Sequence, residues 1–280
     1  MQVLFLGCGD IGTRAGLSLL DRGWRVAAAR RNPDRLPDQF DRLKVNLTDP
    51  ASLVALDTME PDYVVVTPTP QSYDPPGYQA GFAGVAKTLA NQKWIVQCRR
   101  VIWVSSTRVY RESEGGWVDQ HSPLKHDEPQ ASAMIAGEAA IRRAATATII
   151  RPAGVYGDPE GMLMRRVRAG EGGAAGALYG NRIHREDLSR LIVHCLERDH
   201  AGEEVPPTLV GADHDQTPTH EVEDWLADQI AVTLIRPSDP SPSRANRRCR
   251  NSLLERIGFT LSYPTWREGY RAALDASADK

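Results

Sequence analysis

The first 23 residues constrain the fold more than any other stretch. Met1 to Leu6 read MQVLFL, a short apolar strand, and Gly7, Gly9 and Gly12 follow as GCGDIG, in the spacing G-x-G-x-x-G. Ile11, Ala15 and Leu19 then recur every four residues up to Gly23, which is a helical period. Between a strand and a helix each of these glycines has its own task. Gly7 allows the tight turn, Gly9 lets backbone approach a diphosphate, and Gly12 lets the helix pack on the strand. The N–H groups of the first helical turn, at Asp10, Ile11 and Gly12, attract the phosphate charge. The plainer alternative is a glycine turn in a βα unit that holds no ligand.

Strand-like runs at 2–6, 24–29, 43–45, 63–67, 101–105 and 147–151 alternate with helical patterns at 12–22, 50–57, 78–92, 131–145 and 186–198. Such alternation predicts βαβ units and a parallel sheet. The runs VLFL, YVVV, VIWV and TATII are almost wholly apolar, as in strands covered on both faces. The expected fold is therefore α/β, a Rossmann-type doubly wound parallel sheet, with residues 1–152 as the dinucleotide-binding domain. Residues 153–280 would complete the sheet and form a small C-terminal substrate lobe. Gly and Pro become frequent there, in GEGGAAGALYG at 170–180 and RPSDPSPSR at 236–244, which predicts loops. A helix is expected at 219–230 and a last short one behind Pro264.

Ligands of such sheets bind beyond the carboxyl ends of the strands. After the second strand stand Arg30 and Arg31, and no acid occurs until Asp34. Folds that prefer NAD usually place an acid here for the ribose hydroxyls, whereas two guanidiniums suit the 2′-phosphate of NADP. NADP(H) is the expected cofactor, with NAD(H) as the alternative. After the third strand, Asn46 and Leu47 would meet an adenine edge and face, while Asp49 would cap a helix begun by Pro50. Thr67, Pro68 and Thr69 would run along the middle of the cofactor. Ser105, Ser106 and Thr107 form a hydroxyl cluster where nicotinamide and substrate would meet, although each hydroxyl also suits a turn or cap.

Bulk composition excludes several classes. The chain has a formal net charge of −2, which gives no footprint for nucleic acid or an anionic membrane. No apolar stretch approaches the ~18 residues of a membrane span, and the N-terminal run is too short for a signal peptide. The four cysteines are widely spaced with no C-x-x-C, so no metal site is expected and reduced thiols in a cytoplasmic protein are the default.

With these residues in view, the chain resembles the short-chain dehydrogenase/reductase superfamily, in particular the extended NAD-dependent epimerase/dehydratase type and its atypical members. The resemblance rests on GCGDIG at 7–12, VSSTRVY at 104–110, RPAGVYG at 151–157, NRIHREDLSRLI at 181–192 and the ending NRRCRNSLLERIGFTLSYPTWREGYRAAL at 246–274. It implies that Asn46 and Leu47 lie by the adenine, Thr67 to Thr69 by the riboses and phosphates, and Pro152 near the nicotinamide. It makes Ser106 the match of the family's catalytic Ser/Thr. It also sets His184 and Arg185, within I-H-R-E-D-L, at the substrate pocket. Asp187 in that segment more simply stabilises a helix start. A homodimer through the helices near 78–92 and 131–145 is a further implication, although the Ala-rich ASAMIAGEAA equally suits packing inside one chain.

One departure matters. The family's chemistry uses Tyr-x-x-x-Lys on the helix after the fifth strand, where the Lys charge lowers the tyrosine pKa for proton transfer. No Tyr-x-x-x-Lys occurs anywhere in this chain. Depending on register, Gln130 and Met134, or Met134 and Glu138, take the two places. Tyr110, His126, His184 and Ser106 are the candidate substitutes, with Ser106 and Tyr110 foremost, although Tyr110 equally suits a place in the core. Two functions follow. One is an oxidoreductase, epimerase or dehydratase acting on a small polar, sugar-like or carbonyl substrate. The other is a non-catalytic NADP(H) sensor or partner-binding protein. A relic that binds no cofactor ranks behind both, because every glycine of the turn is kept.

Overall fold

A computed structural model describes residues 1–176, 178–238 and 246–278. The strands are β1 Gln2–Leu6, β2 Arg25–Arg30, β3 Asp41–Lys44, β4 Tyr63–Val66, β5 Arg100–Val104, β6 Trp117–Val118, β7 Ala147–Pro152, β8 Gly154–Tyr156, β9 Arg182–His184, β10 Thr208–Gly211 and β11 Arg248–Cys249. The α-helices are α1 Asp10–Leu20, α2 Pro75–Tyr78, α3 Val85–Leu89, α4 Lys93–Gln97, α5 Pro129–Ala144, α6 Met162–Arg168, α7 Arg185–His200, α8 Thr219–Gln229, α9 Ser252–Arg256 and α10 Trp266–Ala278. The central sheet has seven strands in the order β10-β7-β5-β4-β1-β2-β3. Every pair from β3 to β7 is parallel, and the order reverses direction at β1 and β4. This is the doubly wound α/β sheet expected from the sequence, and its switch point lies where the glycine turn leaves β1.

The chain divides into two compact units. The first holds 1–110, 124–151 and 189–209, and its core gathers Leu4, Val64, Leu89, Trp103 and Ile149. The second holds 111–123, 152–188 and 210–280, and its described core gathers Tyr156, Val167, Leu226 and Trp266. The small pairs β6–β11 and β8–β9 belong to the second unit.

Several elements differ from the sequence expectation. Residues 50–56 form a 3₁₀ run rather than an α-helix, although Asp49 caps it as expected, accepting from Ala51 N–H at 3.1 Å. The helix expected over 78–92 is three pieces, because a π-helical stretch at Gln79–Gly84 separates α2 from α3. The π-helical stretch lies tight against the loop after β4: a Cβ on Gly81 would stand 2.2 Å from the Thr69 carbonyl oxygen. The buried small residues Ala131, Ala133 and Gly137 of α5 pack against this same segment, so the Ala-rich face serves close approach within the chain. The seventh strand β10, the helices α4 and α6 and the short strands β6, β8, β9 and β11 were not legible as periodic runs. The loop expected at 236–244 lies mostly outside the described residues.

Candidate functional site

The glycine turn is built by β1 and β2 together. Gly7 has φ of +74°, a left-handed value that favours glycine, and a Cβ there would meet the Thr67 carbonyl oxygen at 2.7 Å. Its N–H and that of Cys8 both donate to the Ala29 carbonyl, at 3.0 and 3.2 Å. Gly12 sits against β1, where an added Cβ would lie 3.0 Å from Cys8 Sγ and 3.4 Å from the Phe5 ring. Gly9 is different. The nearest atom to an added Cβ is 3.9 Å away, so the backbone faces open space there. Gly9 is also the N-cap of α1, and no side chain caps that helix start. Asp10, in the first turn, pairs with Arg14 on its own helix. Bare glycine backbone and an uncapped helix start make the cradle that a diphosphate requires.

Around this cradle the strand ends converge. Arg30 closes β2 half-buried, and Arg31 follows in the open. The Arg30 charge reaches Cys8, since it draws down a thiol pKa that burial pushes up to about 11. Asn46 follows β3 and Val45; its side-chain oxygen accepts from the Thr48 hydroxyl at 3.0 Å, and Leu47 is half-buried against the first unit's core. Gln71, which sequence reasoning missed, donates to the Thr48 hydroxyl at 2.6 Å and so ties the loop after β3 to the loop after β4. Thr67 spends its hydroxyl on the Gly7 carbonyl at 2.8 Å, pinning the glycine turn. Pro68 and Thr69 continue that loop against Gly81.

The hydroxyls after β5 have different surroundings. Ser105 is buried and donates to Glu138 Oε1 at 2.6 Å. Glu138 holds Arg151 through two bonds, Nη2 at 2.6 Å and Nε at 3.1 Å, with both side chains nearly inaccessible. Burial alone would lower the Arg151 pKa, but the bonds and charge of Glu138 outweigh it and hold it up. Tyr110 completes this network. Its phenol lies 3.3 Å from Arg151 Nη1, and the residue is 0% exposed. Of the two readings of Tyr110, proton donor or core residue, a fully enclosed phenol bonded to a guanidinium favours the core. Ser106 is only half-buried and caps the short turn at Thr107–Val109, accepting from Arg108 N–H at 3.1 Å. On α5, Gln130 is half-buried and Met134 lies in the core. His126 is exposed. Pro152 ends β7, buried.

In the second unit, His184 ends β9 with 6% exposure, tilted against Tyr263 at 3.8 Å between centroids and edge-on to Tyr156. It lies so close over Gly157 that an added Cβ would stand 2.1 Å from its Nε2. Its Nδ1 accepts from Glu186 N–H at 3.3 Å. Arg185 lies 3.9 Å from Asp158. Asp187 accepts from Ser262 and Tyr263 N–H groups at 2.7 and 2.9 Å, a tie between the start of α7 and the segment before α10. Asp213, after β10, is 0% exposed with Oδ2 lacking a hydrogen-bond partner among the described residues. Burial pushes its carboxyl up to about 8 against the opposing pull of Arg182.

A parallel doubly wound sheet with a bare glycine cradle at its switch point defines a dinucleotide-binding protein. The chain belongs to the NAD(P)H-binding family, whose model matches residues 7–199. Among solved structures it is similar to a provisionally named NAD-dependent epimerase/dehydratase from Methylobacillus flagellatus, at 25% identity over 99% of this chain and 98% of that one, with a TM-score of 0.79. At lower identity the fold alone is shared with MoeE5 in complex with UDP-glucuronic acid and NAD, at 19%, covering 100% and 99% with a TM-score of 0.80. The same holds for WbmG of Bordetella bronchiseptica in complex with NAD, at 16%, covering 100% and 94% with a TM-score of 0.82. No curated protein matches the chain in sequence. The resemblance to the epimerase/dehydratase type, drawn from the motifs, agrees with the family and with these structures. Among the described residues no helix is long and apolar enough to cross a membrane.

Proposed function

We propose that this protein is an NADP(H)-dependent oxidoreductase of the epimerase/dehydratase kind acting on a small polar, sugar-like or carbonyl substrate. The observation that carries the reading is the bare backbone at Gly9, together with β2 ending at Arg30, followed by Arg31 with no acid there. The amides of Gly7 to Gly12 would hold the diphosphate, Arg30 and Arg31 the 2′-phosphate, and Asn46 and Leu47 the adenine. Thr67 to Thr69 would border the riboses, and Ser105 and Pro152 the nicotinamide. When bound, the dinucleotide supplies or accepts hydride. Ser106 is the residue we assign to the substrate oxygen, because its hydroxyl is not enclosed as Tyr110 is. Thr107, His184 and Arg185 would contact substrate.

The experiment is calorimetry followed by turnover. NADPH should bind more tightly than NADH, and replacing Arg30 and Arg31 by Ala should cost roughly tenfold or more in NADPH affinity with little effect on NADH. NADPH oxidation with a panel of sugar and carbonyl compounds should then slow about 10²-fold or more in Ser106→Ala. Equal affinity for the two nucleotides removes the NADP assignment.

A second reading, a non-catalytic NADP(H) sensor, has its own support. No Tyr-x-x-x-Lys exists, and both Tyr110 and Glu138 are engaged in a closed buried network. Tight binding with no turnover across the panel, together with a partner whose affinity changes with bound cofactor, would favour it.

A further inference from the structure

The loops that follow β3 and β4 are joined by a single side chain. In the central sheet these two strands are not neighbours, because β1 and β2 lie between them. Three strand steps of ~4.8 Å set their lines about 14 Å apart. Thr48, four residues past the end of β3, and Gln71, five past the end of β4, bridge that gap, with Gln71 Nε2 donating to the Thr48 hydroxyl at 2.6 Å. The glycine turn leaves β1, and Arg30 closes β2, inside the same span. The link therefore crosses the crevice at the carboxyl ends of these strands. A dinucleotide with its diphosphate on the cradle and its adenosine ribose at the end of β2 occupies that crevice.

Both ends of the link are firmly mounted. The Thr48 hydroxyl donates to Asn46 Oδ1 at 3.0 Å, and the Ser52 hydroxyl donates to the Asn46 carbonyl at 2.8 Å. On the other side, Gln71 N–H donates to the Gly77 carbonyl at 3.1 Å, and Asp74 caps α2 by accepting from Gly77 N–H at 2.9 Å. Pro68 and Pro70 fix φ within this arm. A Cβ on Gly77 would collide with the Ser72 backbone, so the arm lies directly on α2. The link itself is the weak point. Gln71 is exposed, and among the described residues no other hydrogen bond joins residues 46–49 to residues 67–74. Two neutral groups in contact with solvent part readily, since water replaces either partner.

We propose that Gln71 and Thr48 form a strap across the cofactor crevice, which opens to admit a dinucleotide and closes again behind it. A strap of this kind has a kinetic signature. Its hydrogen bond is made in the free protein and again in the loaded one, so it slows entry and exit alike and leaves their ratio unchanged. The inference rests on dinucleotide binding, the property of the family, and is read out whether or not the chain turns over a substrate.

The test is stopped-flow mixing of the full chain with NADPH and, separately, with NADH, followed by nicotinamide fluorescence, with release measured by a chase of excess oxidised nucleotide. Gln71→Ala should raise the association and dissociation rate constants together, by about two- to tenfold, and leave the dissociation constant within about twofold. Thr48→Val, which keeps the side-chain shape and removes the hydroxyl, should do the same. Melting temperatures should match the parent. A glutamine that only touched the nucleotide would quicken release alone and weaken binding by the same factor. Unchanged rates, a change in one rate constant alone, or no binding of either nucleotide to the parent would each overturn the proposal.

Discussion

Gly7 and Gly9 stand two residues apart and do opposite things. Gly7 is fixed by its φ and by the Thr67 carbonyl beneath it, so Gly7→Ala combines a left-handed penalty of roughly 1–2 kcal/mol with a steric clash, and should lower the melting temperature measurably. Gly9 has ordinary negative φ and free space around an added Cβ. Gly9→Ala should therefore leave the melting temperature nearly unchanged while weakening dinucleotide binding, as measured by calorimetry. Losing both together would mean that Gly9 is structural. Glu138 offers a further residue-scale test. Removing it leaves Arg151 charged and enclosed, so Glu138→Ala should cost about 3–5 kcal/mol in chemical denaturation. The sequence placed Glu138 on α5, but nothing in its spacing announced Arg151 as partner, because the two meet only when α5 packs on the sheet.

At the scale of elements, Asp187 is the informative case. The sequence favoured a carboxylate in a first helical turn, and the structure adds two N–H donors from Ser262 and Tyr263, seventy-five and seventy-six residues on. Asp187→Ala should then cost about 1–3 kcal/mol in a denaturant melt, more than a helix-dipole effect of 0.3–1 kcal/mol would give. Elements with clear apolar periodicity were legible: β1, β4, β5, β7, α1, α5 and α7 all fall close to their expected ranges. The exceptions share a cause. The 78–92 segment reads as one helix because its apolar residues keep helical spacing, yet the Thr69–Pro70 loop pressing on Gly81 accompanies a π turn. β10 carries only four residues between prolines and glycines, too few for a period, and becomes a strand by pairing with β7.

For the whole molecule, a bound dinucleotide should stabilise the fold by mass action, about 2.7 kcal/mol at one hundred times its dissociation constant. A thermal-shift series should accordingly show a larger rise with NADPH than with NADH at equal concentration. pH acts through Asp213. Burial pushes its carboxyl up to about 8 in the folded protein, from the ordinary carboxylate range when unfolded, so between the two the folded state holds the extra proton and stability falls as pH rises, levelling off above about 8. Arg182, Asp187, Asp215, Tyr156 and Tyr270 are the charged and titratable groups coupled to this site. Asp213→Asn should flatten that decline and be relatively more stable than the parent at pH 8 than at pH 4, as read by denaturation at both.

The sequence by itself determined the βαβ order, the glycine turn and the pair of arginines that follows β2, because short-range periodicity and glycine spacing act within a few residues along the chain. Which hydroxyl stays accessible and which arginine Glu138 holds were decided only by tertiary structure. Those outcomes depend on groups far apart in the chain competing for burial and hydrogen bonds, and that competition leaves no periodic trace in sequence.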